Sequence, residues 1–253
     1  MHTFTHFHKA FVGWSNSHLR DRNLSINTFE TDLSNGVLLW NLLEIISNKP
    51  LPKLESANPK TKFQMLGNLG NNLHLSNLKT GTVFKFLEQE KLKLVNIGPE
   101  DLVGFNNKLA LGFLWTLILR YQIQKGASSS TAQKAKQDLM DWVNSVLSLQ
   151  NISIADFKTS FSNGRAFCGL VNNLRAGAIT PTGDAVADMT LCFDIAEKEF
   201  SIPKLLEPEY VVTDPDELSI LCYVYRFHIS NSNRERFLTL DRKETLLLHR
   251  ELQ

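Results

Sequence analysis

The sequence predicts an all-α chain in which one helical plan is written twice, and three observations carry that reading. Residues 11–19 read FVGWSNSHL and residues 139–147 read LMDWVNSVL, so Trp14 pairs with Trp142, Asn16 with Asn144, Ser17 with Ser145 and Leu19 with Leu147, all at an offset of 128. Self-similarity at a fixed offset marks duplicated architecture. The turn Ser34-Asn35-Gly36 returns at the same offset as Ser162-Asn163-Gly164, and apolar runs, VLLWNLL and AFCGLV, follow the two copies. Apolar residues recur at helical spacing throughout, and few stretches alternate strictly enough to make a sheet.

Each element follows in order. FVGWSNSHL sets Phe11, Trp14, Ser15 and His18 on one helical face. The segment 32–36 is a turn, and VLLWNLLEIIS is a helix apolar enough to be deeply buried. NIGPEDLV (96–103) echoes LLEPEYVV (205–212) at an offset of only 109, so the first unit is longer by 19 residues. The surplus falls in the Pro- and Lys-rich stretch SNKPLPKLESANPKTK, which reads as an extra loop. FLEQEKLKLVNIG reads as a helix ending in a short loop, and Pro99 then opens the small helix PEDLV. Asn106 or Asn107 caps a long helix running to about Gln124.

GASSSTAQ is a small, polar linker. The second unit repeats the order: Trp helix, Ser-Asn-Gly turn with its apolar helix, DMTLCFDIAEKEF, IPKLLEPEYVV, and a last helix opened by Pro215 and Asp216. In the tail, Leu240 and Leu247 lie seven apart and Leu248 and Leu252 four apart, too few turns to define a coiled coil. The expected division is 1–125 with an N-terminal arm, a linker at 126–132, a second unit at 133–230, and a helical tail at 231–253 that starts a coiled coil or rod of a longer protein.

A chain of 253 residues with 43% apolar content supports two cores. No secretory signal is visible, and the longest apolar stretch, near 109–119, falls short of the roughly 20 residues a bilayer span needs. Cys168, Cys192 and Cys222 are odd in number and sit among apolar residues, which fits buried, inert thiols in a reducing compartment. Residues 1–125 carry a net charge of +5, residues 126–230 −5 and the tail +1. Two copies of one plan with opposite charge fit a module whose first copy alone docks on an acidic partner, or two copies that attract each other.

Catalytic constellations are missing from the sequence: no GxxxxGK, dinucleotide fingerprint, HExxH or CxxC. His18, His74 and His228 have no neighbour in sequence that would make a triad. His2, His6 and His8 lie in a terminal arm without carboxylate or thiol partners, which reads as a mobile segment rather than a metal site. Basic residues are not interleaved with aromatics, so nucleic acid is not an expected partner. The chain reads as a non-enzyme without metal or cofactor.

Taken together, FVGWSNSHL, DLSNGVLLWNLLEIIS, KLVNIGPEDLV and NKLALGFLWTLILRYQIQ resemble the first calponin-homology domain of the tandem actin-binding module of α-actinin, spectrin and filamin. DLMDWVNSVL, FKTSFSNGRAFCGLV, AEKEFSIPKLLEPEYVV and PDELSILCYVYRFH resemble the second. The resemblance spans about 9–230 and implies two bundles of about four main helices each, F-actin as ligand, no catalysis, a place in the cytoplasm at the actin cortex, and a filament-crosslinking parent that dimerises through segments beyond the tail.

It implies three contact segments. The first is the Trp helix, with Lys9, Phe11 and His18. The second is the long helix, with Asn106, Asn107, Lys108, Leu111 and Leu114. The third opens the second unit, with Lys134 and Lys136. The loop 59–63 matches a basic stretch close to actin and brings Lys60 and Lys62. Trp115 is expected against Lys204 between domains, a cation–π contact of about 0.5–2 kcal/mol; alternatively Trp115 lies in its own core and Lys204 is solvated.

Departures are visible too. Gly104-Phe105-Asn106 stands where many relatives have Asp-Gly-Asn, so Phe105 adds exposed apolar surface or a core contact. Phe161 stands where a Trp is common. Asn172 and Asn173 replace a His/Arg-rich run associated with phosphoinositides, which leaves at most weak phosphoinositide binding. The alternative function is a signalling or scaffold adaptor whose tandem binds a regulatory protein or phosphoinositide rather than a filament.

Overall fold

The computed structural model describes residues 3–70, 83–92, 94, 96–123 and 132–251, with backbone only at 3–7, 30, 238 and 240–251. It divides into two compact units, Met1–Ala132 and Gln133–Gln253. The first contains α1 (Thr3–Leu19), α2 (Phe29–Ser34), α3 (Val37–Ser47), α4 (Lys62–Leu69), α5 (Val83–Gln89), α6 (Pro99–Val103) and α7 (Asn107–Ile118). The second contains α8 (Ala132–Ser148), α9 (Arg165–Leu174), α10 (Ala185–Phe200), α11 (Pro208–Thr213) and α12 (Glu217–Glu251). Among the described residues there is no strand, as the helical spacing predicts.

The duplicated residues fold the same way because they make the same backbone bonds. Asn16 Oδ1 accepts from the Ile26 amide at 2.7 Å while its Nδ2 donates to the Ile26 carbonyl at 2.9 Å. Asn144 holds Ile154 likewise, at 2.8 and 3.1 Å. The Ser17 hydroxyl donates to the Trp14 carbonyl, and the Ser145 hydroxyl to that of Trp142, both at 2.7 Å. Asn23 and Asn151 both turn left-handed, at φ 55° and 56°. Gly36 opens α3 at φ 76°, and a Cβ there would stand 2.9 Å from that of Asn68; Gly164 opens α9 at φ 75°. Only glycine suits both demands at Gly36.

In the first unit α1 packs on α3 and α7. Trp14, Leu39, Leu42, Phe113 and Leu117 are fully buried there, each contributing about 1.5–3 kcal/mol by leaving water. In the second unit α9 packs on α10. The Phe167 ring is central, with centroids 4.9 Å from Phe161, 5.0 Å from Phe193 and 5.8 Å from Tyr223. Phe161 is thus fully buried as part of an aromatic cluster.

Two expectations are corrected. The N-terminal arm is helical, since α1 begins at Thr3, and His8 stacks on Phe29 with centroids 4.4 Å apart. The long helix ends at Ile118 and passes into a π turn, Leu119–Ile123. That turn buries Gln122, whose Oε1 accepts from Trp14 Nε1; one extra residue per turn rotates the side chain. Trp142, unlike Trp14, is only partly buried and meets His228 edge-on at 4.8 Å. The tail is helical to Glu251 as the last part of α12, which runs unbroken for 35 residues, about 50 Å at 1.5 Å per residue. His74 and the linker residues 126–131 lie outside the described residues.

Candidate functional site

The extra loop of the first unit is tied down at several points. Asn68, fully buried in α4, donates from Nδ2 to the carbonyls of Asn35 at 3.0 Å and Ser56 at 2.7 Å, and accepts from the Ser56 amide at 2.9 Å. Trp40 Nε1 donates to the Pro52 carbonyl at 2.7 Å. A capping box closes the loop: Thr61 Oγ1 accepts from the Gln64 amide at 3.3 Å, and Gln64 Oε1 accepts from the amides of Thr61 at 3.3 Å and Lys60 at 2.8 Å. Lys60 and Lys62 therefore stand exposed on a fixed support, beside Phe63, which is 51% exposed. Phe63 is absent from the sequence-derived contact residues. The Thr61-x-x-Gln64 pattern is the signal that sets it in an outward first turn.

A second exposed corner joins α6 to α7. Pro99 starts α6, and Asp101 Oδ2 accepts from the Gly98 amide at 2.7 Å. The chain then turns left-handed at Phe105, φ 59°, with the ring 49% exposed. A side chain in that region costs about 1–2 kcal/mol. Asn106 caps α7, its Oδ1 accepting from the Leu109 amide at 3.3 Å. Lys108 is exposed and Asn107 half-buried.

The remaining expected contacts separate by burial. Phe11 is 1% exposed, Leu111 8% and Leu114 0%. These three are corrected to core positions, because the apolar faces of α1 and α7 are turned inward. His18 is partly buried and meets Trp14 edge-on at 5.0 Å, while Lys9 is exposed. In the second unit Lys134 is exposed, but the Lys136 ammonium is committed to Glu217 of α12. Trp115 is partly buried and stacks on Phe11 with centroids 6.1 Å apart. Lys204 pairs with Asp194 and lies 3.9 Å from Glu197, and these carboxylates raise its pKa, chiefly through the Asp194 hydrogen bond.

The arrangement can present fixed cations and aromatic rings to a large acidic surface. Among the described residues, no group of His, Cys, Asp and Glu is placed to hold a metal ion, and no helix is long and apolar enough to cross a membrane.

The calponin homology (CH) domain family matches residues 7–123 and again 133–231. The chain belongs to that family and carries two tandem copies of the domain. It is similar to interaptin of Dictyostelium discoideum, 38% identical over 230 residues, 87% of this chain and 13% of that protein. It is similar to alpha-actinin A of the same organism, 37% identical over 235 residues, 89% and 26% of the two chains. It is 33% identical to alpha-actinin-3 of Homo sapiens over 235 residues, 90% and 24%. Among solved structures it shares the fold of the actin-crosslinking core of Schizosaccharomyces pombe fimbrin, at a TM-score of 0.65 and 19% identity, over 87% of this chain and 49% of that one. The chain thus spans a minor part of the length of these curated relatives.

Proposed function

We propose that this chain is an F-actin-binding module of a cytoskeletal protein at the cytoplasmic cortex. The first unit docks on the filament; the second stabilises the first or masks it. The observation that carries the reading is the exposed set Lys60, Lys62, Phe63, Phe105 and Lys108 on a first unit whose residues 1–125 carry a net charge of +5, against −5 over residues 126–230. Such a surface complements an acidic polymer by charge and offers apolar anchors. Lys9 and Lys134 add exposed cations. The fimbrin core is named for actin crosslinking, which supports this reading by analogy of fold.

Masking would lower the apparent affinity in proportion to the open fraction. A Trp115–Lys204 contact would fit a closed pose. No catalytic role is proposed. Weak phosphoinositide binding and a dimeric, crosslinking parent belong to the same reading.

Co-sedimentation of residues 1–253 with F-actin at two salt concentrations is the test. Pelleting that weakens as salt rises is the expected result. No pelleting of the folded chain at low salt would favour a signalling adaptor instead.

A further inference from the structure

We propose that Phe105 is the apolar anchor of this docking surface, the side chain that enters a hydrophobic cleft on an acidic filament; this rests on the filament reading above. Phe105 sits at φ 59°, in the left-handed region where glycine fits without strain. Its neighbour Gly104 sits at φ −81°, which any residue adopts. A Cβ at Gly104 would stand 3.0 Å from the Glu100 carbonyl oxygen, so that glycine answers to crowding, while phenylalanine occupies the position where glycine is conformationally easiest.

Much of the side chain stays in solvent in spite of that strain. It is 49% exposed, whereas Phe11, Phe29, Phe86 and Phe113 of the same unit are at 5% or less. One exposed apolar residue is ordinary. An exposed aromatic held in a strained conformation is not, because strain persists where the surrounding structure imposes it and clusters at functional sites.

The corner is also preformed. The Phe105 amide donates to the Leu102 carbonyl at 3.2 Å, the Asn106 amide to that of Asp101 at 2.9 Å, and Asn106 caps α7. A ring fixed in advance loses little freedom on binding. Lys108 lies three residues on, and α4, with Lys62 in its first turn, packs on α6. An exposed aromatic on a unit that also exposes these cations fits a partner with an acidic rim around an apolar cleft, and such anchors dominate interface energies.

The test uses residues 1–253 with Phe105→Gly and Phe105→Asn, two residues that tolerate the left-handed region, and Leu149→Ala as a control, Leu149 being 83% exposed in the second unit. Thermal unfolding and F-actin co-sedimentation are measured for each. Both Phe105 variants should keep or raise Tm and bind about tenfold or more weakly. Leu149→Ala should leave binding unchanged. Binding by Phe105→Gly within about twofold of the unsubstituted chain overturns the proposal, as does a fall in Tm in both variants, which would give the ring a structural role. Either leaves the filament reading standing; failure of the unsubstituted chain to pellet overturns both.

Discussion

Asn16 and Ile26 are joined by two hydrogen bonds through one carboxamide, at 2.7 and 2.9 Å. Asn144 and Ile154 repeat the arrangement 128 residues later. Each clamp fixes the loop that follows the first helix of its unit. Asn16→Ala and Asn144→Ala should each cost about 1–3 kcal/mol, the loss of two part-buried bonds. Urea unfolding checks this, and a change below about 0.5 kcal/mol in either, the range of a neutral surface substitution, would remove the clamp from the account.

The identity of Asn16 with Asn144 was legible in the sequence; the partner was not. A carboxamide aimed at backbone ten residues on leaves no side-chain signature. Trp14, the Ser-Asn-Gly turns and the cap at Asn106 were legible because periodicity and turn chemistry are local. Phe11 and Leu114 were misplaced outward because an all-apolar helix does not say which face meets solvent. At Gly104-Phe105, the glycine in sequence points to the wrong residue for the left-handed turn.

Tyr223 is fully buried among Phe167, Phe193 and Phe227, and its hydroxyl has no hydrogen-bond partner among the described residues. Burial pushes its pKa well above the ordinary value. An orphaned buried hydroxyl is costly, so Tyr223→Phe should stabilise the chain by about 1 kcal/mol. A destabilised variant in urea would contradict this.

Burial holds the His228 imidazole below its ordinary pKa of 6.5, against an opposing pull from Glu235. The unfolded chain therefore binds the proton first as pH falls. Stability should decline from about pH 7 downward and level off below the folded-state value. His228→Gln should flatten that decline when urea midpoints are compared at pH 7.5 and 5.5, conditions on either side of the free imidazole's titration at about 6.5. Parallel declines in the two proteins would count against it.

Cys168 and Cys192 have their sulfurs 3.3 Å apart, and with Cys222 all three thiols are buried. The hydrogen bond to the Cys168 sulfur, and then burial, push the Cys192 thiol up. All three should resist a thiol reagent in the folded chain and react together on unfolding. Rapid labelling of any one in native buffer would disagree.

The most direct measurement compares two charge reversals in the full chain by F-actin co-sedimentation. One carries Lys60→Glu, Lys62→Glu and Lys108→Glu; the other carries Lys158→Glu, Arg165→Glu and Lys198→Glu, all six positions being exposed. The first set should abolish pelleting at a salt concentration where the second leaves it nearly intact, with Tm little changed in both. Equal loss in the two sets, or pelleting that survives the first, would contradict it.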